Sequence, residues 1–346
     1  MKHTSKPSIL ILYTGGTIGM VENPQTGALE NFGLERFTQL FPELNRQPYN
    51  IDYLTLEHPI DSSDMEPKNW VEIARKIADN YERFDGFVVL HGTDTMAYTA
   101  SALSFMLENI AKPVILTGSQ LPIGKLRTDG KENLLTSLEI AAARNRSGGA
   151  MVPEVCIYFD SCLMRGNRTT KVNAEGFNAF RSYNFPPLAT AGINIRFSPS
   201  LIRHPDPLRP FTPHFALDDR VMLLTLFPGI RQEYVEAALL TTDIKALVLK
   251  TYGSGNAPQK PWLAPLLHQL SGRGVIIVNN TQCNEGAVEM ARYETGLQLL
   301  QAGVVNGYDS TIESSLTKLM LLLGSGLSPQ EITLRMNESL AGEITL

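Results

Sequence analysis

Cysteine is scarce in this chain: Cys156, Cys162 and Cys283 are the only three in 346 residues. An odd count without CxxC spacing argues against a disulfide framework and fits reduced thiols in a cytosol. The six histidines are scattered, with no HExxH or paired spacing, so no metal site is expected. No Lys/Arg-rich run occurs and the formal net charge is −5, which argues against nucleic-acid binding through a basic face. No apolar run approaches the length of a membrane span, so no membrane partner is expected. The run Ser8–Tyr13 is followed by threonine and glycine instead of a cleavage-site pattern, and so reads as a strand and not a leader. These absences leave a cytoplasmic chain acting on a small or neutral ligand.

What is present is an α/β rhythm. Apolar, β-branched runs at Ser8–Tyr13, Ile51–Leu56, Gly86–His91, Pro113–Thr117 and Glu154–Phe159 read as strands. Helical patterns fall at Pro67–Arg83, Thr95–Glu108 and Gly130–Ala143, which predicts a parallel sheet covered on both faces. Between Tyr183 and Pro213 lie Pro186, Pro187, Pro199, Pro205, Pro207, Pro210 and Pro213, a density that forbids a regular helix. A second rhythm follows, with strands at Arg220–Leu226, Ala246–Thr251 and Gly274–Asn279. Its helices are expected at Gln232–Leu240, Pro261–Leu270, Glu313–Leu323 and Pro329–Leu340. The expectation is a larger N-terminal parallel-sheet domain (1–185), a Pro-rich linker (186–215) and a smaller C-terminal α/β domain (216–346).

Two threonine motifs stand directly after strands: Thr14-Gly15-Gly16-Thr17 and His91-Gly92-Thr93-Asp94. Ligands of open α/β sheets bind at such strand ends, and glycine lets a backbone approach them closely. Thr17 reads either as part of a tight turn or as a nucleophile with an oxyanion-binding loop nearby. Thr93-Asp94-Thr95 reads as a helix cap or as a site beside a helix N-terminus that favours a carboxylate. Asp61-Ser62-Ser63 caps a helix or grips the α-amino and α-carboxylate groups of an amino acid. A threonine nucleophile needs a proton acceptor, and Lys171 held by Asp94 is a candidate if burial offsets the carboxylate's preference for charged lysine. His91 reads as a packed strand-end histidine.

At these residues the chain resembles the bacterial-type asparaginases, in their cytoplasmic type I branch, over essentially its whole length. The resemblance rests on TGGTIGM at Thr14–Met20, DSSDM at Asp61–Met65, and GFVVLHGTDTMAYTASALSFMLEN at Gly86–Asn109. KPVILTGSQLP at Lys112–Pro122, RGNRTTK at Arg165–Lys171, YGSGNAP at Tyr252–Pro258 and NNTQC at Asn279–Cys283 complete the ordered set. It implies hydrolysis of L-asparagine without metal or cofactor. Thr17 would be the nucleophile forming a β-aspartyl ester, and Thr93, Asp94 and Lys171 a second catalytic group. Asp61, Ser62 and Ser63, with Thr93 and Asp94, would hold the substrate. It further implies active sites at subunit interfaces of dimers paired into tetramers, with Asn256 as a candidate contribution from the neighbour. A second, regulatory asparagine site would involve Thr170, Lys250, Thr281, Gln282 and Cys283.

Two departures stand out. The loop Val21–Phe32 contains no tyrosine, where the family usually places one against the nucleophile; the nearest here is Tyr13. Lys250 stands where regulated bacterial relatives carry arginine. Two other readings compete: a subunit of a tRNA-dependent amidotransferase, which needs an additional RNA-facing domain, and a catalytically silent amino-acid-binding protein.

Overall fold

The computed structural model describes residues 6–22, 29–31, 44, 46–292 and 294–346, without the side chains of Thr17, Met20–Glu22 and Leu29–Asn31. The chain divides into two compact units, Met1–Phe215 and Ala216–Leu346.

The N-terminal unit is built on one eight-stranded sheet. Its strands are β1 (Ser8–Tyr13), β2 (Asn50–Thr55), β3 (Gly86–Leu90), β4 (Val114–Thr117), β5 (Val155–Phe159) and β6 (Cys162–Arg165), with the short pieces β7 (Ala189–Thr190) and β8 (Arg196–Phe197). The spatial order is β8-β7-β6-β5-β4-β3-β1-β2. The five strands from β2 to β5 are parallel, as expected. The remaining three are added antiparallel. Helices α1 (Pro67–Asp79), α2 (Met96–Met106) and α3 (Gly130–Ala142) supply the crossovers. A central strand buried on both faces must be apolar at every position. In β1, Ile9, Leu10, Ile11 and Leu12 are all at most 2% exposed. Helix α1 starts at Pro67 behind a Glu66–Asn69 capping box and buries Trp70, Ile73, Ala74 and Ile77, a one-sided helical stripe.

Two expected boundaries shift, and one strand is added. Helix α1 ends at Asp79, four residues short of the predicted Arg83, and Asn80 caps it by donating to Lys76 O. Helix α2 stops at Met106, because Leu107–Glu108 pairs instead with Thr212–Pro213 of the proline-rich stretch. Asn109, at φ 57, then turns the chain. Strand β6 was not expected at all. It returns from β5 through Asp160 (φ 49) and Ser161 (φ 62), a two-residue turn with both central residues left-handed.

The proline-rich stretch is ordered against the N-terminal unit. Phe211 stacks on Tyr81 at 4.0 Å between ring centroids, and Arg75 lies over the Phe215 ring at 4.3 Å.

The C-terminal unit holds a four-stranded parallel sheet, β9 (Val221–Thr225), β10 (Ala246–Thr251), β11 (Ile276–Thr281) and β12 (Val305–Asn306), in sequential order. Helices α4 (Gln232–Leu240), α5 (Leu263–Gly272), α6 (Glu294–Gln301), α7 (Ile312–Gly324) and α8 (Pro329–Met336) cover it. One cluster, with Leu247, Leu249 and Ile277, fills one face of this sheet, and another, with Val248 and Val278, fills the other. Helix α8 opens with a reciprocal Ser328–Glu331 capping box and Pro329 in its first turn, and ends earlier than the predicted Leu340.

Candidate active site

The carboxyl ends of β1 and β3 meet directly. Thr14 donates both its N–H and its hydroxyl to Leu90 O, each at 3.0 Å. The chain then turns through Gly16 at φ +88, where an added Cβ would come within 2.5 Å of Gly92 Cα and N. Gly92 is equally confined: its Cβ would sit 2.4 Å from Ser62 Oγ. Three loops therefore converge closely, and only glycine fits at two of the contacts. Thr17 opens a single 3-10 turn, Thr17–Gly19, directly after Gly16. Tyr13 lies under that turn. Its ring would be 2.2 Å from a Cβ on Gly19, its hydroxyl reaches Gly16 O at 3.4 Å, and burial raises its pKa.

Thr93, Asp94 and Lys171 are brought together. Lys171 Nζ donates to Thr93 Oγ1 at 2.8 Å and to Asp94 Oδ1 at 2.6 Å. The lysine side chain is 18% exposed and the aspartate 63%, so the pair lies at the mouth of the site. Lys171 is delivered by the chain after β6. The Gly166–Arg168 turn and the short pairing of Thr170–Lys171 with Phe180–Arg181 fix it.

The Asp61–Ser63 segment follows β2. Asp61 Oδ1 accepts from both the N–H and the hydroxyl of Ser63, each at 2.9 Å, and these bonds lower the Asp61 pKa. Ser62 is buried against Gly92, and its carbonyl accepts from Thr95 Oγ1 at 2.6 Å. The capping reading of this segment is met, with Asp61 capping the Ser62–Asp64 turn.

His91 is fully buried, with its pKa pushed down to about 4 by that burial. Trp70 Nε1 donates to Thr99 Oγ1 at 3.1 Å, and Thr99 faces His91 Nε2 at 2.8 Å. The Thr99 proton is therefore directed to Nε2, and Nδ1–H donates to Gly92 O at 2.7 Å. This chain pins the Gly92 peptide and leaves His91 no open nitrogen for substrate.

Of the proposed regulatory residues, four lie on one sheet edge. Lys250 is the penultimate residue of β10, paired with Asn280, and Gln282 Nε2 donates to Lys250 O at 3.0 Å. Thr281 Oγ1 bonds Gly253 O at 2.5 Å and accepts from Cys283 N at 3.0 Å. Thr170 is in the N-terminal unit next to Lys171. Asn256 Oδ1 accepts from Thr295 Oγ1 at 2.8 Å within its own unit. The tyrosine-free loop lies mostly outside the described residues.

No group of three or more potential metal ligands occurs among the described residues. Nor is any helix there long and apolar enough to cross a membrane.

A glycine-lined junction of strand ends with a threonine, a lysine and a carboxylate in contact defines an amide-hydrolase class of α/β protein. The chain belongs to the asparaginase family: residues 8–203 match "Asparaginase, N-terminal" and residues 220–336 match "Glutaminase/Asparaginase C-terminal domain". It is 46% identical to L-asparaginase 1 of Escherichia coli strain K12 over 349 residues, 98% of each chain. It is 44% identical to the 60 kDa lysophospholipase of Mus musculus over 360 residues, covering 98% of this chain and 62% of that one. The solved structure of L-asparaginase I from Vibrio cholerae matches with a TM-score of 0.89 at 44% identity, over 99% of this chain and 100% of that one.

Proposed function

We propose that this chain hydrolyses L-asparagine to L-aspartate and ammonia through a threonine-linked β-aspartyl ester. Thr17 Oγ attacks the side-chain amide carbon and its proton passes to the leaving nitrogen, which departs as ammonia. Water then cleaves the ester, restoring the Thr17 hydroxyl and releasing aspartate. Thr93 and Lys171 move the proton, with Asp94 holding the lysine. Asp61, Ser62 and Ser63, with Thr93 and Asp94, bind the substrate's α-groups. The observation that carries this reading is the contact of Lys171 Nζ with both Thr93 Oγ1 and Asp94 Oδ1, at 2.8 and 2.6 Å. E. coli L-asparaginase 1 and the V. cholerae enzyme support the substrate by their names.

The same reading makes the enzyme a cytoplasmic homodimer or a homotetramer built as a dimer of dimers, in which Asn256 of a neighbour completes each site. The second asparagine site that relatives of this kind would form from the positions matching Thr170, Lys250, Thr281, Gln282 and Cys283 is weakened or lost here, because Lys250 stands where regulated relatives carry arginine. Ammonia release from asparagine, followed alongside acid-quench trapping of an aspartyl adduct on Thr17, tests the proposal. A protein that binds asparagine without releasing ammonia would be the silent binding protein instead.

A further inference from the structure

Gln120 plays no part in the assignments above, yet it touches the site from the end of a third strand. Beyond β4 the backbone of Gly118–Leu121 is held by the start of α3. The Asp129 carboxylate accepts the N–H of Gln120, at 3.1 and 3.0 Å to its two oxygens, and that of Leu121 at 3.2 Å. Asn133 Nδ2 donates to Gly118 O at 3.0 Å. From this anchored position the Gln120 side chain spans two loops. Its Nε2 donates to Ala174 O at 3.3 Å and Gly176 O at 3.1 Å, and its Oε1 accepts from Thr93 Oγ1 at 3.1 Å. The turn it grips is built around Asn173, whose Oδ1 accepts the N–H groups of Glu175 and Gly176, each at 2.9 Å.

We infer that Gln120 is a positioning residue of the active site, closing a ring of hydrogen bonds that holds the Thr93 hydroxyl against Lys171. The inference rests on the proton-transfer reading of Thr93 and Lys171. The ring runs from Lys171 to Thr93, to Gln120, to Ala174 and Gly176, and back along the chain to Lys171. Each direction in it is forced. Two carbonyls only accept, so the amide's NH2 end faces them and its oxygen faces Thr93. A lysine Nζ donates to Thr93 Oγ1, so the threonine spends its own proton on Gln120. At rest, Gln120 therefore sets the rotor of Thr93, keeps an oxygen lone pair towards Lys171 and fixes the separation of the two groups. Misplacing such a group by about an ångström costs on the order of a hundredfold in rate.

Two substitutions separate hydrogen bonding from mere packing. Gln120→Met keeps the length and loses every bond of the ring. Gln120→Glu keeps an acceptor for Thr93, but as a carboxylate it faces the two carbonyls; protonated, it donates to one of them. The charged groups around this position are Asp129, whose carboxylate holds the Gln120 N–H, and Asp94 and Lys171, which meet at Thr93. The two carboxylates favour the protonated form of the new side chain and the lysine opposes it.

With asparagine as substrate, Gln120→Met should lower kcat about tenfold or more with KM within about twofold. Gln120→Glu should be equally impaired near pH 8, and its kcat relative to wild type should recover several-fold towards about pH 5.5 as its carboxyl takes up a proton. The same folded chain then serves as its own control. A Gln120→Met kcat within twofold of wild type would overturn the inference. So would equal losses in both variants at every pH with a matching fall in Tm, which marks a packing role alone. Lys171→Met sorts the two levels. If it stays active, the proton-transfer reading fails and takes Gln120's role with it; if it is inactive while Gln120→Met is unimpaired, this inference alone fails.

Discussion

Lys171 Nζ and Thr93 Oγ1 lie 2.8 Å apart, joined across 78 residues of chain. The two halves of the site come from different segments, the strand end of β3 and the turn after β6, and neither has the contact without the other. Removing one should therefore disable both. Lys171→Met and Thr93→Val should each lower kcat by about 10²–10⁴, the usual worth of positioned proton transfer. Thr17→Ala should abolish the covalent ester. Mass spectrometry of acid-quenched enzyme checks this: an aspartyl adduct on Thr93 in the wild type would reverse the roles of the two threonines.

Gly16 and Gly148 form a natural experiment, because both sit at φ +88. A Cβ at Gly16 would lie 2.5 Å from Gly92 backbone atoms, whereas one at Gly148 meets nothing within 4 Å. Alanine at 148 should lose only the left-handed penalty, about 1–2 kcal/mol. Alanine at 16 adds a backbone clash, and overpacking costs typically about 1–3 kcal/mol more. Urea unfolding of both variants, with activity measured on the same samples, tests the difference. Equal losses would mean that the Gly16–Gly92 approach is not tight.

The parallel core of the sheet was legible because its strands are apolar on both faces, and that signal survives in a single sequence. Strand β6 escaped because its hairpin uses Asp160-Ser161, where a turn with two left-handed residues normally advertises itself by Asn-Gly or Asp-Gly. Helix α6 escaped because Gly296 interrupts its interior and weakens the helical pattern. The threonines, Asp94 and Lys171 were visible as residue types after strands. Gln120 was not, since a loop glutamine carries no chemistry of its own. Its one available signal was its place, just beyond β4, on the same sheet edge as Thr17 and Thr93. The Trp70–Thr99–His91 chain was hidden for a related reason. Its members lie on α1, α2 and the end of β3, and only packing brings them into line.

That buried chain makes stability depend on pH. His91 titrates near its ordinary value of 6.5 when unfolded and at about 4 when folded. Between those values the unfolded chain binds a proton that the folded one does not, so acid favours unfolding. The stabilisation is complete above about pH 6.5 and is lost as pH falls towards 4, by about 3 kcal/mol in total. Urea denaturation from pH 7 to about 4.5 should show this slope in the wild type and a shallower one in His91→Gln, which cannot titrate. Identical slopes would mean that the ring is protonated inside the fold.

The proposed regulatory site turns on one side chain near the end of β10. Lys250 offers a single point charge, and its carbonyl is already engaged by Gln282 Nε2 at 3.0 Å. Arginine at this position would present a planar fork able to hold a carboxylate through two parallel bonds. A lysine should hold an asparagine effector more weakly, leaving less coupling to Lys171 through Thr170. Coupling energies of about 1–3 kcal/mol are typical, so weakening one contact is enough to flatten the response. Initial rates across a wide asparagine range should be close to hyperbolic for the wild type and more sigmoidal for Lys250→Arg. A steep wild-type sigmoid left unchanged by the arginine would show that this lysine does not weaken the switch. A hyperbolic response in both would remove the effector site from these residues altogether.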